Sequence, residues 1–524
     1  MPHSVPVPPT GFQSIVLCGP GVSLNTFTSN PEEYPKCLLP IANRPMIYYV
    51  LDFCRRMGIT DVTLVTPPTS LAPLQAALRQ NPHLTSLPTP SVIAPKDLEM
   101  TTGTAELLRL PEVQTCIKSD FLLLPCDLVC DLPGESLLEA WMVSGGEKGR
   151  RNGLSMYYQT QGREESVKGE GTDFVAVAPL EQSESPVVSL SELRAQLSKV
   201  VLSMPMDTLK EKMVNDKGFL MRHSLVDKHA QVKMLTSYRD AHIYILPQWV
   251  KDMARLNEQF QSVSEDLIGW WAKSEWQRGL SDKLKINEIF ERKNRSHSVD
   301  EDVRSHDGES LGGEGALEEE INLPGMSTTK ATSAPKSQIE ESAESSELPP
   351  LLAYVQRGTS PFVRRVDSSA LLLSTSLRLA KLESIEEVGR TEASAFAHAS
   401  KIAYPQGVAQ RCTVTKTDCL LDSNTTVEEK CVIKESCIGA NVHIASGARL
   451  TRCLVMDGAV IGSRAQLTGC IVGRRSKIGR ESVLKDCEIQ DGNVVPDDTD
   501  AKNEKFMVFE GLDDDMDGSD DMDI

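Results

Sequence analysis

The sequence predicts an α/β chain in which a doubly wound, Rossmann-like sheet domain is followed by a parallel β-helix of hexapeptide-type coils. Three observations lead there. Short β-rich runs alternate with amphipathic stretches near the N-terminus, aliphatic residues recur every 17 positions near the C-terminus, and a polar stretch without aromatic residues separates the two. The chain has 524 residues, too many for one ordinary core, so more than one folding unit is expected.

In chain order, Ser14 to Leu17 reads as a strand. Met46, Ile47, Val50, Leu51, Cys54 and Met57 then recur at helical spacing and are closed by Gly58. Val62 to Val65 is the next strand, Leu71 to Leu78 a helix, and Phe121 to Leu124 another strand. Such alternation predicts a mainly parallel sheet. Further strands are expected at Phe174 to Ala178, Val200 to Met204 and His242 to Leu246. Residues 293–349 carry ten Ser, thirteen acidic residues and neither an aromatic residue nor Cys. Such a stretch buries too little apolar area to offset chain entropy, so a disordered insertion is expected. Leu351 to Val355 and the following VDSSALLL read as strand and helix, so the insertion interrupts the first domain. The expected division is therefore 10–292 and 350–395 for that domain, 293–349 for the insertion, 403–496 for the coil and 497–524 for a tail. The tail holds twelve acidic residues and reads as a solvated terminus or a contact for a basic surface.

The 17-residue period is the strongest signal. Leu421, Ile438, Val455, Val472 and Ile489 form one column, and Val427, Ile444, Ile461, Ile478 and Val495 a second. Ile433, Leu450, Leu467 and Leu484 form a third. All fourteen are Val, Ile or Leu, which chance gives about three times in a million. The pattern means a triangular coil with one aliphatic residue per face pointing inward and small residues, such as Gly462 and Gly479, near the corners. Cys419, Cys453, Cys470 and Cys487 follow the same period, with Ser436 in the missing place. They read as an inward ladder of small apolar side chains.

Net charge is −19 and no basic stripe is present, so phosphate-neutralising contact with nucleic acid is disfavoured. Residues 1–10 have neither a charged nor an apolar signal region, and no apolar run reaches the ~20 residues of a membrane span. The thirteen cysteines lack CxxC pairs and read as buried, reduced thiols, so a cytosolic protein without a metal centre is expected.

Residues 15–51 carry the chemistry. A strand leads into Gly19, Pro20 and Gly21, and then Pro35, Lys36, Cys37, Leu38, Leu39, Pro40, Ile41, Ala42, Asn43, Arg44, Pro45 and Met46. This resembles the opening of the sugar-nucleotide pyrophosphorylases, whose segment reads Pro-Lys-x-Leu-Leu-Pro-(Ile/Val)-x-(Asn/Gly)-x-Pro-(Met/Leu). Thr102-Gly103-Thr104-Ala105 resembles the family's base-side segment. Leu124-Pro125-Cys126-Asp127 resembles the strand end where the family places a metal-holding Asp. On the residues alone, Asp127 reads equally as a cap or turn residue and Lys36 as a loop lysine.

The resemblance implies a nucleotidyltransferase-like domain and a left-handed coil. In active members an Arg that clamps phosphate follows the glycine loop directly. Here Val22, Ser23 and Leu24 follow, and no Arg appears before Arg44. Pro20 also lacks the N–H that a phosphate cradle needs. Losing one charge-stabilising contact costs about 10²–10³ in rate. Catalytic residues are therefore expected to be absent, leaving a vestigial pocket of Gly19, Gly21, Lys36, Gly103 and Asp127. No cofactor is required, and residual nucleotide binding is at most weak.

With its coil and insertion, the chain resembles the degenerate nucleotidyltransferase-like subunits of eukaryotic translation initiation factor 2B. Asp240-Ala241-His242-Ile243-Tyr244-Ile245-Leu246 and Glu265-Asp266-Leu267-Ile268-Gly269-Trp270-Trp271-Ala272 support this weakly. Only about 29 residues follow Val495, too few for the helical-repeat exchange domain of epsilon-type chains, so the resemblance is to the gamma type. It implies a structural subunit that pairs with epsilon, joins alpha, beta and delta, and serves initiation factor 2 as client. Adjacent Trp270 and Trp271 in a helix cannot both enter one core stripe, so one of them is a candidate partner contact, beside the more common reading in which both pack in a broad intramolecular groove. Two alternatives stand beside this reading. One is an active GDP-mannose or ADP-glucose type pyrophosphorylase, and the other an acyltransferase using His443, the single histidine of the coil.

Overall fold

The computed structural model describes residues 11–99, 101–145, 152–180, 197–291, 348–358 and 360–507. Nine strands form the N-terminal sheet: β1 (Gln13–Leu17), β2 (Asp61–Val65), β3 (Ser91–Ile93), β4 (Phe121–Pro125), β5 (Gly153–Gln159), β6 (Asp173–Ala178), β7 (Leu197–Pro205), β8 (Lys233–Leu246) and β9 (Leu351–Val355). Their order is β3-β2-β1-β4-β8-β5-β9-β7-β6. The first four are parallel and follow the order of a mononucleotide-binding half.

Residues alternate across this parallel half. Val16, Leu64, Leu122 and Leu124 face one core, while Ile15, Val65, Phe121 and Leu123 face the other. Burial on both faces explains why these strands read as continuous apolar runs. Helix Met46–Arg56 packs Ile47, Val50, Leu51 and Cys54 into the first core. It ends in a Schellman cap: Gly58 adopts φ +71°, its N–H reaches the Arg55 carbonyl, and the Ile59 N–H reaches that of Cys54.

The expectation of a mainly parallel sheet fails beyond β4. There β8 runs antiparallel to β4 and β5, and β7 antiparallel to β9 and β6. Beyond β4 the one parallel pair of this sheet among the described residues is β5 with β9, which are far apart in sequence, as the crossover of parallel neighbours requires. The result is a mixed sheet. Strand β8 also begins at Lys233, well before His242, because its first half pairs with β6. Strands β3 and β5 had no counterpart in the sequence reading. Strand β9 sits inside the sheet, between β5 and β7, while residues 292–347, most of the expected insertion, lie outside the described residues.

Beyond the helix Ser369–Ala380 and a connector, the chain winds into three stacked parallel sheets of six, five and six strands. From Leu420 onward each strand pairs with the one 17 residues on, as in Leu421↔Ile438, Val427↔Ile444 and Ile433↔Leu450. Corner residues repeat at the same interval with positive φ: Asn424, Asn441, Gly458, Arg475 and Gly492 form one such edge. Gly462 and Gly479 allow adjacent coils to approach, since a Cβ on Gly479 would lie 2.3 Å from Pro496 backbone.

The expected end of the coil at 496 is corrected. Asp500–Lys502 and Lys505–Phe506 add further rungs. Ala501 and Phe506 continue two interior columns, but as residues other than Val, Ile or Leu they escaped the aliphatic pattern. Of the acidic tail, residues 508–524 lie outside the described residues.

Candidate functional site

Ligands of open α/β sheets bind beyond the carboxyl ends of the strands, where the residues singled out after β1 and β4 meet. Gly21 adopts φ +83°, and a Cβ there would come within 2.9 Å of Lys36 Cβ, so the loop needs glycine. Its carbonyl accepts from Leu24 N and from Thr28 Oγ1. Gly19 has open space around its Cβ position. Val22, where the resemblance implies a phosphate-clamping Arg, is exposed.

Lys36 Nζ meets Asp127 Oδ2 at 2.6 Å, and both residues are buried. Arg365, which the sequence reading did not single out, donates from Nε to Asp127 Oδ1 at 3.3 Å. It also pairs with Asp367 and lies 3.1 Å from His242 Nε2. Val366 N donates to the Asp127 carbonyl. Burial alone opposes ionisation of Asp127, but Arg365 and Lys36 outweigh it and hold the carboxyl far below its usual range. Burial and Arg365 push the His242 imidazole well below its ordinary value, so it stays neutral beside this charge.

The network continues inward. Arg239 bonds Asp367, and Arg364, fully buried, pairs with Glu165 and Glu170. Asp240 accepts from Tyr244 Oη at 2.6 Å and from His242 N; burial, then the neighbouring Asp173 charge, raises it to about 7.

The metal that the resemblance implies does not fit these residues. Both Asp127 oxygens already face cations, and a divalent ion would have to displace Lys36 and Arg365 or sit against them. Among the described residues no cluster of three or more His, Cys, Asp or Glu is arranged to hold a metal.

The remaining sequence candidates have contacts of their own. Gly103 belongs to a helix start pressed against its own chain: a Cβ there would meet the Gln261 carbonyl at 2.2 Å, and Ala105 N donates to that same oxygen. Arg44 cannot stand in for the missing phosphate clamp, because it is buried and donates to the carbonyls of Phe396 and Ala397. Of the two tryptophans, Trp271 is the one that packs inward. It packs edge-on against Trp249 at 4.8 Å, and its Nε1 donates to Pro349 O; Trp270 is 37% exposed. His443 bonds Thr426 Oγ1 through Nδ1 and pairs with Glu428 on an exposed face of the coil. A cavity of about 270 Å³ lined by Phe12, Asp61 and Lys118 lies at the opposite, N-terminal ends of the strands.

All fourteen columnar residues of the coil are at most 3% exposed and share one core. The thirteen cysteines are free and eleven are buried. The coil ladder of thiols donates to nearby carbonyls, as from Cys470 to Leu484 O.

The structure adds a contact the columns did not announce. Leu420, Cys437, Leu454 and Ile471 point out of the coil yet are buried against Leu24, Phe27, Leu39, Met46 and Tyr49. The chain after the glycine loop is fastened to this face. Thr26 bonds Glu488, Ser29 bonds Gln490, Glu33 pairs with Arg475, and Arg474 stacks on Tyr34 at 3.8 Å. A second apolar column one residue before the first was the available signal.

The family of GMPPB C-terminal domains matches residues 415–509. The chain is 27% identical over 311 residues to translation initiation factor eIF2B subunit gamma of Schizosaccharomyces pombe. That alignment covers 57% of this chain and 59% of the relative, so the match spans well under two thirds of the relative's length. The chain is thus similar to an eIF2B subunit gamma over part of its length, and its C-terminal coil is similar to GMPPB C-terminal domains.

Proposed function

We propose that this chain is a non-catalytic subunit of the guanine-nucleotide exchange factor that recycles GDP-bound initiation factor 2. Its N-terminal domain is a nucleotidyltransferase-like domain turned to structural use, and its coil is the left-handed β-helix of that family. It pairs with a catalytic epsilon subunit, joins alpha, beta and delta, works in the cytosol and requires no cofactor. The observation that carries the non-catalytic reading is the closed pair of Lys36 and Asp127, capped by Arg365. In phosphoryl chemistry these charges must face a triphosphate and its metal, whereas here they neutralise each other. The loop that would cradle phosphate is followed by a segment tied to the coil. No helix among the described residues is long and apolar enough to cross a membrane.

The test is purification of the chain from its native source at physiological salt, with mass identification of whatever comes with it. Recovery in stoichiometric complex with an epsilon-type chain supports the proposal. Recovery as a lone homo-oligomer contradicts it.

A further inference from the structure

Seven of the twelve large apolar side chains that stand exposed among the described residues fall in one small region: six between Met213 and Met234, and Trp270. Val214 is 78% exposed, Leu220 71% and Val226 52%. They belong to the helices Met206–Asn215 and His223–Lys228 and the link between them. Beneath, Leu209, Leu225 and Trp276 form a private core with β6 and β7, so these helices are anchored and their outer side chains are left bare. Lys228 donates to the Glu275 carbonyl, which sets this pair beside the helix Gly269–Ser274 that carries Trp270.

Charge marks the same place. Lys273 Nζ lies 4.6 Å from the Trp270 ring centre. Burial, together with the nearby charges of Lys212 and Arg222, lowers its ammonium to about 8. Lys212, Arg222 and Lys273 have no ion pair among the described residues. Asp266, whose charge reaches Lys273, is committed to the N–H groups of Gln261 and Ser262. Residues 206–234 hold six Lys or Arg against four Asp or Glu, in a chain of net charge −19.

We infer that this surface docks an acidic, amphipathic segment of a partner protein. Its apolar face lies on Val214, Leu220, Val226 and Trp270, and its carboxylates on Lys212, Arg222 and Lys273. Bare apolar patches rimmed by charge mark interfaces, and three crowded cations select an acidic occupant. The inference does not depend on which assembly the chain joins.

The probe is a fluorescent 18-residue helix with leucines on one face and glutamates on the other, titrated against the full chain by anisotropy. Controls are the same peptide with lysines for glutamates, and phosphatidylserine vesicles. The glutamate peptide is expected to bind and the lysine peptide not. Trp270→Ala, and separately Lys212→Glu with Lys273→Glu, should weaken binding about tenfold with unfolding midpoints unchanged. Equal binding of both peptides, indifference to the substitutions, or binding to vesicles alone overturns the inference. So does a gain in affinity on removing residues 508–524, which would make the chain's own acidic end the occupant.

Discussion

Asp127 is held between Lys36 and Arg365, and the strength of that arrangement is measurable. Removing one partner of a buried pair leaves charge uncompensated, whereas removing both can be neutral. Asp127→Leu should therefore lower stability by about 3 kcal/mol by stranding Lys36, and the double change Lys36→Met with Asp127→Leu should recover much of it, because Arg365 keeps Asp367. Urea-unfolding midpoints decide this, and equal losses in the two variants would refute a structural pair. Asp240 gives a pH signature. Its folded value, near 7, stands above the ordinary carboxylate value because of burial and Asp173. Its contribution is thus complete below about pH 4 and is lost as pH rises through about 7. Asp240→Asn should flatten that decline, worth at most about 4 kcal/mol, while Asp127, shifted the opposite way, loses its contribution only in strong acid. Thermal melts from pH 4 to 8 read the difference. Gly21, Lys36 and Asp127 could be singled out from sequence because each belongs to a contiguous motif. Arg365 could not, since it arrives from a strand after the insertion and no local pattern points it at Asp127.

At the scale of the element, the coil was readable because each of its turns repeats the same burial requirement at one fixed interval. Ile461 is fully buried in that core. Ile461→Asp puts a lone carboxylate there and should cost several kcal/mol, about 3 or more, measured as a fall in the melting of the coil. Near-native melting would show that the register is wrong. The outward column of Leu420, Cys437, Leu454 and Ile471 shares the interval but serves a different partner, and one repeat cannot say which side of a rung faces a neighbouring domain. The sheet was harder to read. Where a helix crosses between strands, as Met46–Arg56 does before β2, periodicity found it; where β8 pairs along its length with both β5 and β6, only tertiary pairing sets direction and extent.

For the whole molecule, the decisive feature is the seam between the coil and the chain that follows the glycine loop. Leu454 lies fully buried in that seam while pointing away from the coil's own core. Leu454→Glu should part the two without unfolding the coil, exposing the connector at Lys401, which is buried, to trypsin. Unchanged resistance would mean that the seam is not held by this face. Motif order let the sequence point to the Arg that the loop lacks, but the attachment of the segment after it to residues 462 positions later (Thr26 to Glu488) is visible only in three dimensions. The central claim, that a self-neutralised site has replaced a substrate site, is tested most directly by pyrophosphate release. The purified chain is given magnesium, GTP or ATP, and mannose 1-phosphate or glucose 1-phosphate. Release no faster than in buffer alone is expected; sustained turnover at the ordinary enzyme rate of about 1 s⁻¹ or more would overturn the non-catalytic reading.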